Sequence, residues 1–449
     1  MKSISHLNSE NDPKFIISRF LHLIGLTRLS RIVNFRRKSS ITLAEIISWL
    51  MSVHFSGRSL NRSQSSPYFT TKTVRNVLND GRINWQKLLC LIARQLIKTL
   101  SPFIDRRRRL AFIIDDTMMN RQFSSQTELL ARTFDHDKKQ FCHGYRGLTL
   151  GWSDGNTFLP VNFALMSTQN ANNLIGSPAK INDQRTIAGQ RRSQAQRPMN
   201  EVAVELIRQA LRLGVPARYV LCDSWYSSPK MFGQLLALHL HGIGMIKNSS
   251  KVYYRYRGRQ LSIKGLYRRL AASKLTKRNH YLYSSIVMAN YDNHEFPLKV
   301  VFVSKRGSKS NYLVLATTKT NLRPEEIIQL YGRRWQIETY FKAAKQYLDL
   351  THSQIQNYDG QCGYIAVTAI TYDLLAWQER LSKDERTIGG LFYIMNDALP
   401  DIQFMDALVY LISTLNNLTI KVSDQIEQLL MKFISHLPLK VQTILQERV

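Results

Sequence analysis

The chain of 449 residues is 44 % hydrophobic, long enough for a sizeable core and about two to four domains. Its 62 Lys and Arg against 32 Asp and Glu leave a net charge of +30, spread along the whole length rather than confined to a tail. That excludes a protein whose charge rides on a basic extension, and it points to a polyanionic partner, most simply nucleic acid. The four cysteines, Cys90, Cys142, Cys222 and Cys362, stand apart with no C-x-x-C pair, which argues against zinc ribbons and a disulfide framework. The polar start MKSISHLNSENDPKF lacks a signal-peptide core, and the longest apolar run, around Ile365 to Trp377, is interrupted by Asp373. The expectation is a soluble protein of a reducing compartment.

Residues 1–104 read as helical, with helices over Phe15–Ile32, Thr42–Val53, Thr71–Leu78 and Trp85–Thr99. Basic or polar linkers separate them, Phe35-Arg-Arg-Lys38 and GRSLNRSQSS over Gly57–Ser66. Short helices with basic turns suit a DNA-binding module of helix-turn-helix kind, though no recognition helix stands out, and an all-α lobe with charged loops is the plainer reading. Arg106–Arg109 lead into Leu-Ala-Phe-Ile-Ile-Asp-Asp-Thr (110–117), an apolar run with the look of a central strand that ends in two carboxylates. Strands Arg146–Trp152 and Phe158–Met166 follow, joined by the turn signal Asp154-Gly155. Residues 170–198 show no apolar periodicity and read as a mobile polar loop. Then come a helix over Asn200–Leu213, a buried strand Tyr219–Cys222 ending at Asp223, a helix Pro229–His239 and a short strand Gly242–Ile246. The order is βββ-α-β-α-β.

From 249 to 320 the chain turns β-rich, with strands at Val252–Tyr256, Tyr281–Ala289, Leu298–Val303 and Tyr312–Thr317, and reads as an inserted β subdomain. Pro324-Glu-Glu then opens a helix that contains YGRRWQIETYFKAAK, Tyr331 to Lys345. At about 100° per residue, Tyr331, Arg334, Glu338 and Lys345 project within roughly 60° of one another, with Lys342 at the edge of that face. Ile327, Ile328, Trp335, Ile337, Phe341, Ala344 and Leu348 occupy the rest of the cylinder, so a largely buried helix carries one polar face. Simple i,i+4 ion pairing would explain that face on an arbitrary helix. Beyond Leu350, helical patterns at 363–382, 386–398, 403–415 and 423–435 make an α-helical tail over 351–449.

Two acids at the ends of buried strands and a third on a later helix would repel if gathered without lysine partners, so they call for divalent metal. Oxygen ligands of this kind suit Mg²⁺, and two such ions about 4 Å apart serve in-line phosphoryl displacement. Arg334, Lys342 and Lys345 would hold phosphates of the scissile strand, and Tyr331 could stack or hydrogen-bond there.

Tyr331-x2-Arg334-x3-Glu338-x6-Lys345 matches the Y-(2)-R-(3)-E-(6)-K signature, and the chain over roughly 105–350 resembles the insertion-sequence-four family of DDE transposases. The resemblance implies a ribonuclease-H-like α/β core (βββ-α-β-α-β-α, 105–248 completed by 321–350) interrupted by the β-rich insertion. It makes Asp115, Asp223 and Glu338 the catalytic, metal-binding acids. Asp116 remains the rival for the first place, since neighbouring strand residues face opposite ways. Where the family often has a small residue and then an aromatic after the second acid, this chain has Trp225 and Tyr226, both placed among the DNA-contacting residues. The resemblance also implies a pair of Mg²⁺ ions, replaceable by Mn²⁺, and double-stranded DNA as partner, both element ends and target. It further implies a homodimer on paired ends and a cytoplasmic, nucleoid-associated bacterial protein. The same site would cut the element free, a hairpin at its ends being one route, and join 3′-OH to target DNA.

Other constellations are weaker. Asp135-His-Asp137 with Cys142-His143 has no recognised zinc spacing, His294-Glu295 lacks the second histidine of a zincin, and Ser224 has no G-x-S-x-G around it. The expected activity is therefore DNA transposition. A ribonuclease-H-like nuclease without strand transfer and a catalytically silent DNA-binding descendant are the alternatives.

Overall fold

The apolar run that begins at Leu110 becomes β1 (Ala111–Asn120), and its first four residues, Ala111 to Ile114, are wholly buried. The computed structural model describes residues 13–381 apart from 39, 57–59, 61–62, 64–65, 67, 106, 136–137, 273–280 and 305–311. The helices expected at 386–398, 403–415 and 423–435 lie outside them.

Before β1 stand α1 (Pro13–Leu23), α2 (Leu26–Ile32), α3 (Leu43–Ser56), α4 (Thr71–Leu78) and α5 (Trp85–Leu100). The single helix expected over Phe15–Ile32 is thus two, because Gly25 adopts a left-handed φ of 62° between them, a conformation open to glycine at no cost. The apolar faces of these helices join the same core as the sheet, with Leu88, Leu89 and Ile92 of α5 fully buried.

After β1 come β2 (Ala131–Asp135), β3 (Gln140–Ser153) and β4 (Phe158–Met166), so four strands rather than three precede the helices. β2 escapes a sequence reading because its alternation is carried by Arg132 and Asp135 rather than by apolar residues. Residues 170–198 are not all loop: they hold α6 (Ile187–Ala195). This helix has no apolar stripe because it buries arginines. Arg192 donates to Glu128 at 2.6 and 2.9 Å and to Asp359 at 2.8 Å, and Arg191 pairs with Asp359 and donates to the Ile83 carbonyl at 2.8 Å.

α7 (Met199–Arg212), β5 (Tyr219–Cys222), α8 (Pro229–Ala237) and β6 (His241–Met245) follow. β3 lies antiparallel to β1 and β4 antiparallel to β3, while β5 and β6 run parallel to β1. The strand order β4–β3–β1–β5–β6 therefore has the central β1 flanked by one antiparallel and one parallel neighbour. β2 pairs with the N-terminal part of β3, continuing that edge past β4.

The segment between 249 and 320 forms β7 (Tyr254–Tyr256), β8 (Arg259–Leu261), α9 (Ile263–Ala272), β9 (Tyr283–Tyr291), β10 (His294–Ser304) and β11 (Tyr312–Thr317). It is β-rich as expected, with α9 an addition. Antiparallel pairing of β11 with β6 makes these strands a continuation of the central sheet. With Phe232 of α8 they form a second apolar cluster that includes Leu266, Leu298 and Phe302.

The helix expected from Pro324 is two, α10 (Pro324–Gly332) and α11 (Trp335–Tyr347). Across the junction the hydrogen bonds tighten to the i−3 pattern, Arg334 N–H to Tyr331 at 3.0 Å and Ile337 N–H to Arg334 at 3.2 Å. The backbone stays right-handed at Arg333 and Arg334. α12 (Tyr358–Leu381) is buried almost all round, which makes it the central helix between the sheet and α3–α5. No described helix is long and apolar enough to cross a membrane.

Candidate active site

Pairing between β1 and β5 ends at Ile114 opposite Cys222. From Asp115 onward, one edge of β1 is therefore open. Asp115 and Asp116 both line one cavity of about 790 Å³, although β1 keeps its regular register with β3 through the two residues. The Asp116 N–H donates to Asp115 Oδ1 at 2.9 Å. Asp223 directly follows β5, and its Oδ1 accepts from the backbone N–H of Trp225 at 2.9 Å and Tyr226 at 3.3 Å. Ser227 closes the turn by donating to the Asp223 carbonyl at 2.6 Å. Glu338 reaches the same cavity from α11, with Lys342 and Lys345 beside it.

Arg334 ties the acids together. Its Nη1 lies 2.9 Å from Asp115 Oδ2 and its Nη2 2.5 Å from Glu338 Oε1, and its side chain is only 11 % exposed. Its guanidinium also lies over the Tyr331 and Trp335 rings, at 5.8 and 5.6 Å from their centroids. The expected role of Arg334 as a phosphate holder thus meets a fork already filled by two carboxylates. Trp335, expected on the buried side of its helix, is 63 % exposed, because it opens α11 just after the junction.

The second candidate first acid has different company. Asp116 pairs with Arg146 and accepts from the Tyr226 hydroxyl at 2.8 Å. Tyr226 is fully buried, so its expected place among the DNA-contacting residues is corrected: its ring has no open face to stack on a base, and its hydroxyl holds Asp116. Burial, and then the Asp116 carboxylate, push its phenol well above the usual range and keep the donor proton in place. Trp225 is half exposed on the cavity rim, with the Lys247 ammonium 4.6 Å from its ring centroid.

Burial pushes the Asp115 carboxyl up to about 7, and the neighbouring Asp223 adds to the rise. A carboxyl held this high between a second acid and an arginine is one that lacks enough positive charge. Three oxygen donors with no histidine or cysteine suit a hard cation in chemical type. Among the described residues, however, no three His, Cys, Asp or Glu side chains stand close enough together to hold a metal ion as they are. Arg334 is the cation between Asp115 and Glu338 here.

Arg146, Lys247 and Phe134 also line or border this cavity and carry no signal in the sequence. Arg146 meets Asp116 because the β1–β3 register sets Asp116 opposite Leu148, two residues along β3 from Arg146, so that Asp116 and Arg146 are diagonal neighbours. A second cavity of about 470 Å³, bordered by Arg75, Lys180, His352 and Tyr364, contains none of the three acids. Of the weaker constellations, Asp135 is buried and its neighbours His136 and Asp137 lie outside the described residues, while Glu295 pairs with Arg255. All four cysteines are free and buried.

Two family models match the chain. One, described as DDE superfamily endonuclease, covers residues 36–270; the other, described as transposase DDE domain, covers residues 179–374. Together these ranges take in Asp115, Asp223 and Glu338. No curated protein matches. Among solved structures, the Drosophila P element transposase strand transfer complex is 9 % identical over 87 % of this chain and 92 % of that one, with a TM-score of 0.18, too low for its fold to inform this one. The first model spans more than half of the 449 residues, and the second adds the stretch that carries Glu338. The chain belongs to the DDE superfamily of endonucleases, and over residues 179–374 it is similar to the transposase DDE domain.

Proposed function

We propose that this chain is an insertion-sequence transposase of the insertion-sequence-four family, cutting and rejoining DNA ends with Asp115, Asp223 and Glu338 as its catalytic acids. The observation that carries the reading is the convergence of three elements on one cavity: β1, the turn after β5, and α11 with its Y-R-E-K residues. The strand order β4–β3–β1–β5–β6, with β5 and β6 parallel to β1, supports a ribonuclease-H-like core that the 249–320 segment interrupts. On this reading residues 1–104 contribute DNA contacts through their basic turns, and two copies work on paired element ends.

Asp115, Asp223 and Glu338 are the residues to hold divalent metal, two Mg²⁺ ions or Mn²⁺ in their place. Such ions would supply activation of the attacking hydroxyl and charge neutralisation at the leaving oxygen. The chain's own part is to position. Arg334 keeps Asp115 and Glu338 from repelling each other, Asp223 is held by its own turn, and Asp116 is fixed by Tyr226 and Arg146. That arrangement favours Asp115 as the metal-binding acid and Asp116 as a support. Lys342, Lys345, Tyr331 and Trp225, at the cavity or beside it, are placed to meet phosphates and bases, with arginine and lysine contacts to phosphate strong and directional.

The test uses purified protein, labelled duplex from the inverted repeats that flank its gene, and Mg²⁺ or Mn²⁺. Cleavage at the repeat boundary followed by joining of the released 3′ end to a second duplex is the expected result. Cleavage without joining would favour the nuclease alternative. Binding without either would favour a silent descendant.

A further inference from the structure

We propose that the exposed end of the β2–β3 pair is a stacking platform for an unpaired nucleobase of the DNA handled in the acidic cavity, an inference that rests on the DNA-processing reading above. Phe134 and Phe141 sit directly opposite each other across the two strands, with ring centroids 5.2 Å apart and planes at 73°. Both rings face solvent, at 37 % and 57 % exposure, so they contribute little to a core. The Arg132 guanidinium lies over Phe141, 4.4 Å from its ring centroid. An exposed aromatic pair topped by a cation is the arrangement on which bases of any sequence can stack.

The platform is continuous with the acids. Phe134 lines the same cavity as Asp115, Asp223 and Glu338. Arg146, the partner of Asp116, also donates from Nη1 to the Phe134 carbonyl at 3.4 Å, so one arginine links the platform to the site. The charge around it fits a polyanion: Arg132, Lys138 and Lys139 are exposed on this end, while Asp135 is buried and accepts the Lys138 N–H at 3.2 Å. A second copy of the chain would bring the same cations against this edge, which disfavours pairing of two such edges. A fully paired base offers no free face, so an unpaired base next to the scissile phosphate is the occupant.

The experiment measures binding by the full chain without divalent metal. One duplex is fully paired; the other has the same sequence with a short unpaired tract of thymines carrying one fluorescent adenine analogue. Wild type is expected to prefer the unpaired tract and to quench the analogue. Phe134→Leu and Phe141→Leu, which keep apolar bulk but remove the ring, should lose that preference by roughly 5- to 100-fold each. Their melting and their affinity for the paired duplex should stay as in wild type, and Phe141→Tyr should restore quenching. The proposal is overturned if wild type shows no preference or if the leucine variants keep it. It is equally overturned if the variants weaken both duplexes alike, or if their effect is a change in self-association by sedimentation. Absence of binding to either duplex would instead remove the transposase reading itself.

Discussion

Asp115 shows how much a single side chain is asked to carry. Its carboxyl, pushed up to about 7 by burial and by Asp223, prefers the protonated form in the folded chain far more than in the unfolded one. The stability this contributes is fully present below about pH 4, the unfolded range, and is lost as pH rises through about 7. Metal-free wild type should therefore melt progressively lower between those limits, relative to Asp115→Asn, which cannot ionise. Parallel melting curves for the two proteins across that pH range would contradict the burial of this acid. Arg192 makes a separate case, away from the site. Its side chain and those of Glu128 and Asp359 are all under 5 % exposed, so Arg192→Met leaves two buried carboxylates short of a partner. Removing one member of such a network costs about 3–5 kcal/mol, readable by denaturant unfolding. A loss below about 1 kcal/mol would mean that the acids find another partner or protonate cheaply.

At the scale of elements, the site depends on where strands stop and what packs under the turns. Gly244 of β6 lies under the turn that carries Asp223, and a Cβ there would sit 1.9 Å from Ser227 Oγ. Since Ser227 closes that turn on the Asp223 carbonyl, Gly244→Ala should displace it, costing about 1–3 kcal/mol by overpacking. Its cleavage rate should also fall more than its DNA affinity, and unchanged melting and cleavage together would show that Ser227 simply turns away. Elements with a buried apolar signature were legible in the sequence, above all β1, β5 and α5. Those that bury charge were not. α6 hides Arg191 and Arg192 inward, β2 alternates on Arg132 and Asp135, and each breaks the periodicity by which helices and strands are recognised. The α10–α11 junction escaped for the opposite reason: its backbone stays helical, and only the hydrogen bonds tighten.

Over the whole molecule, the legible part of the site was the set of acids, because two of them end apolar runs and the third sits in a spaced signature. What was not legible is the set of contacts made across sequence distance: Arg146 on Asp116, Tyr226 beneath it, and the second arm of Arg334 on Asp115, whereas its pairing with Glu338 is the local i,i+4 one. The first depends on which residue of β3 stands beside β1, the others on how the turn after β5 and the α10–α11 junction pack against it, and no local pattern encodes either. The net charge of +30 acts at this scale too. Affinity for duplex should fall with salt at about −0.9 in log–log slope per neutralised phosphate, and a charge this large leads us to expect at least about six such contacts. A flat dependence would contradict a nucleic-acid partner. The most direct test compares strand cleavage and duplex binding for Asp115→Ala, Asp223→Ala, Glu338→Ala and Asp116→Ala, all with Mg²⁺ present. The account predicts that the first three bind duplex at near wild-type affinity and cut no strand, while Asp116→Ala cuts measurably. Cleavage at the wild-type rate by Asp223→Ala or Glu338→Ala would contradict it.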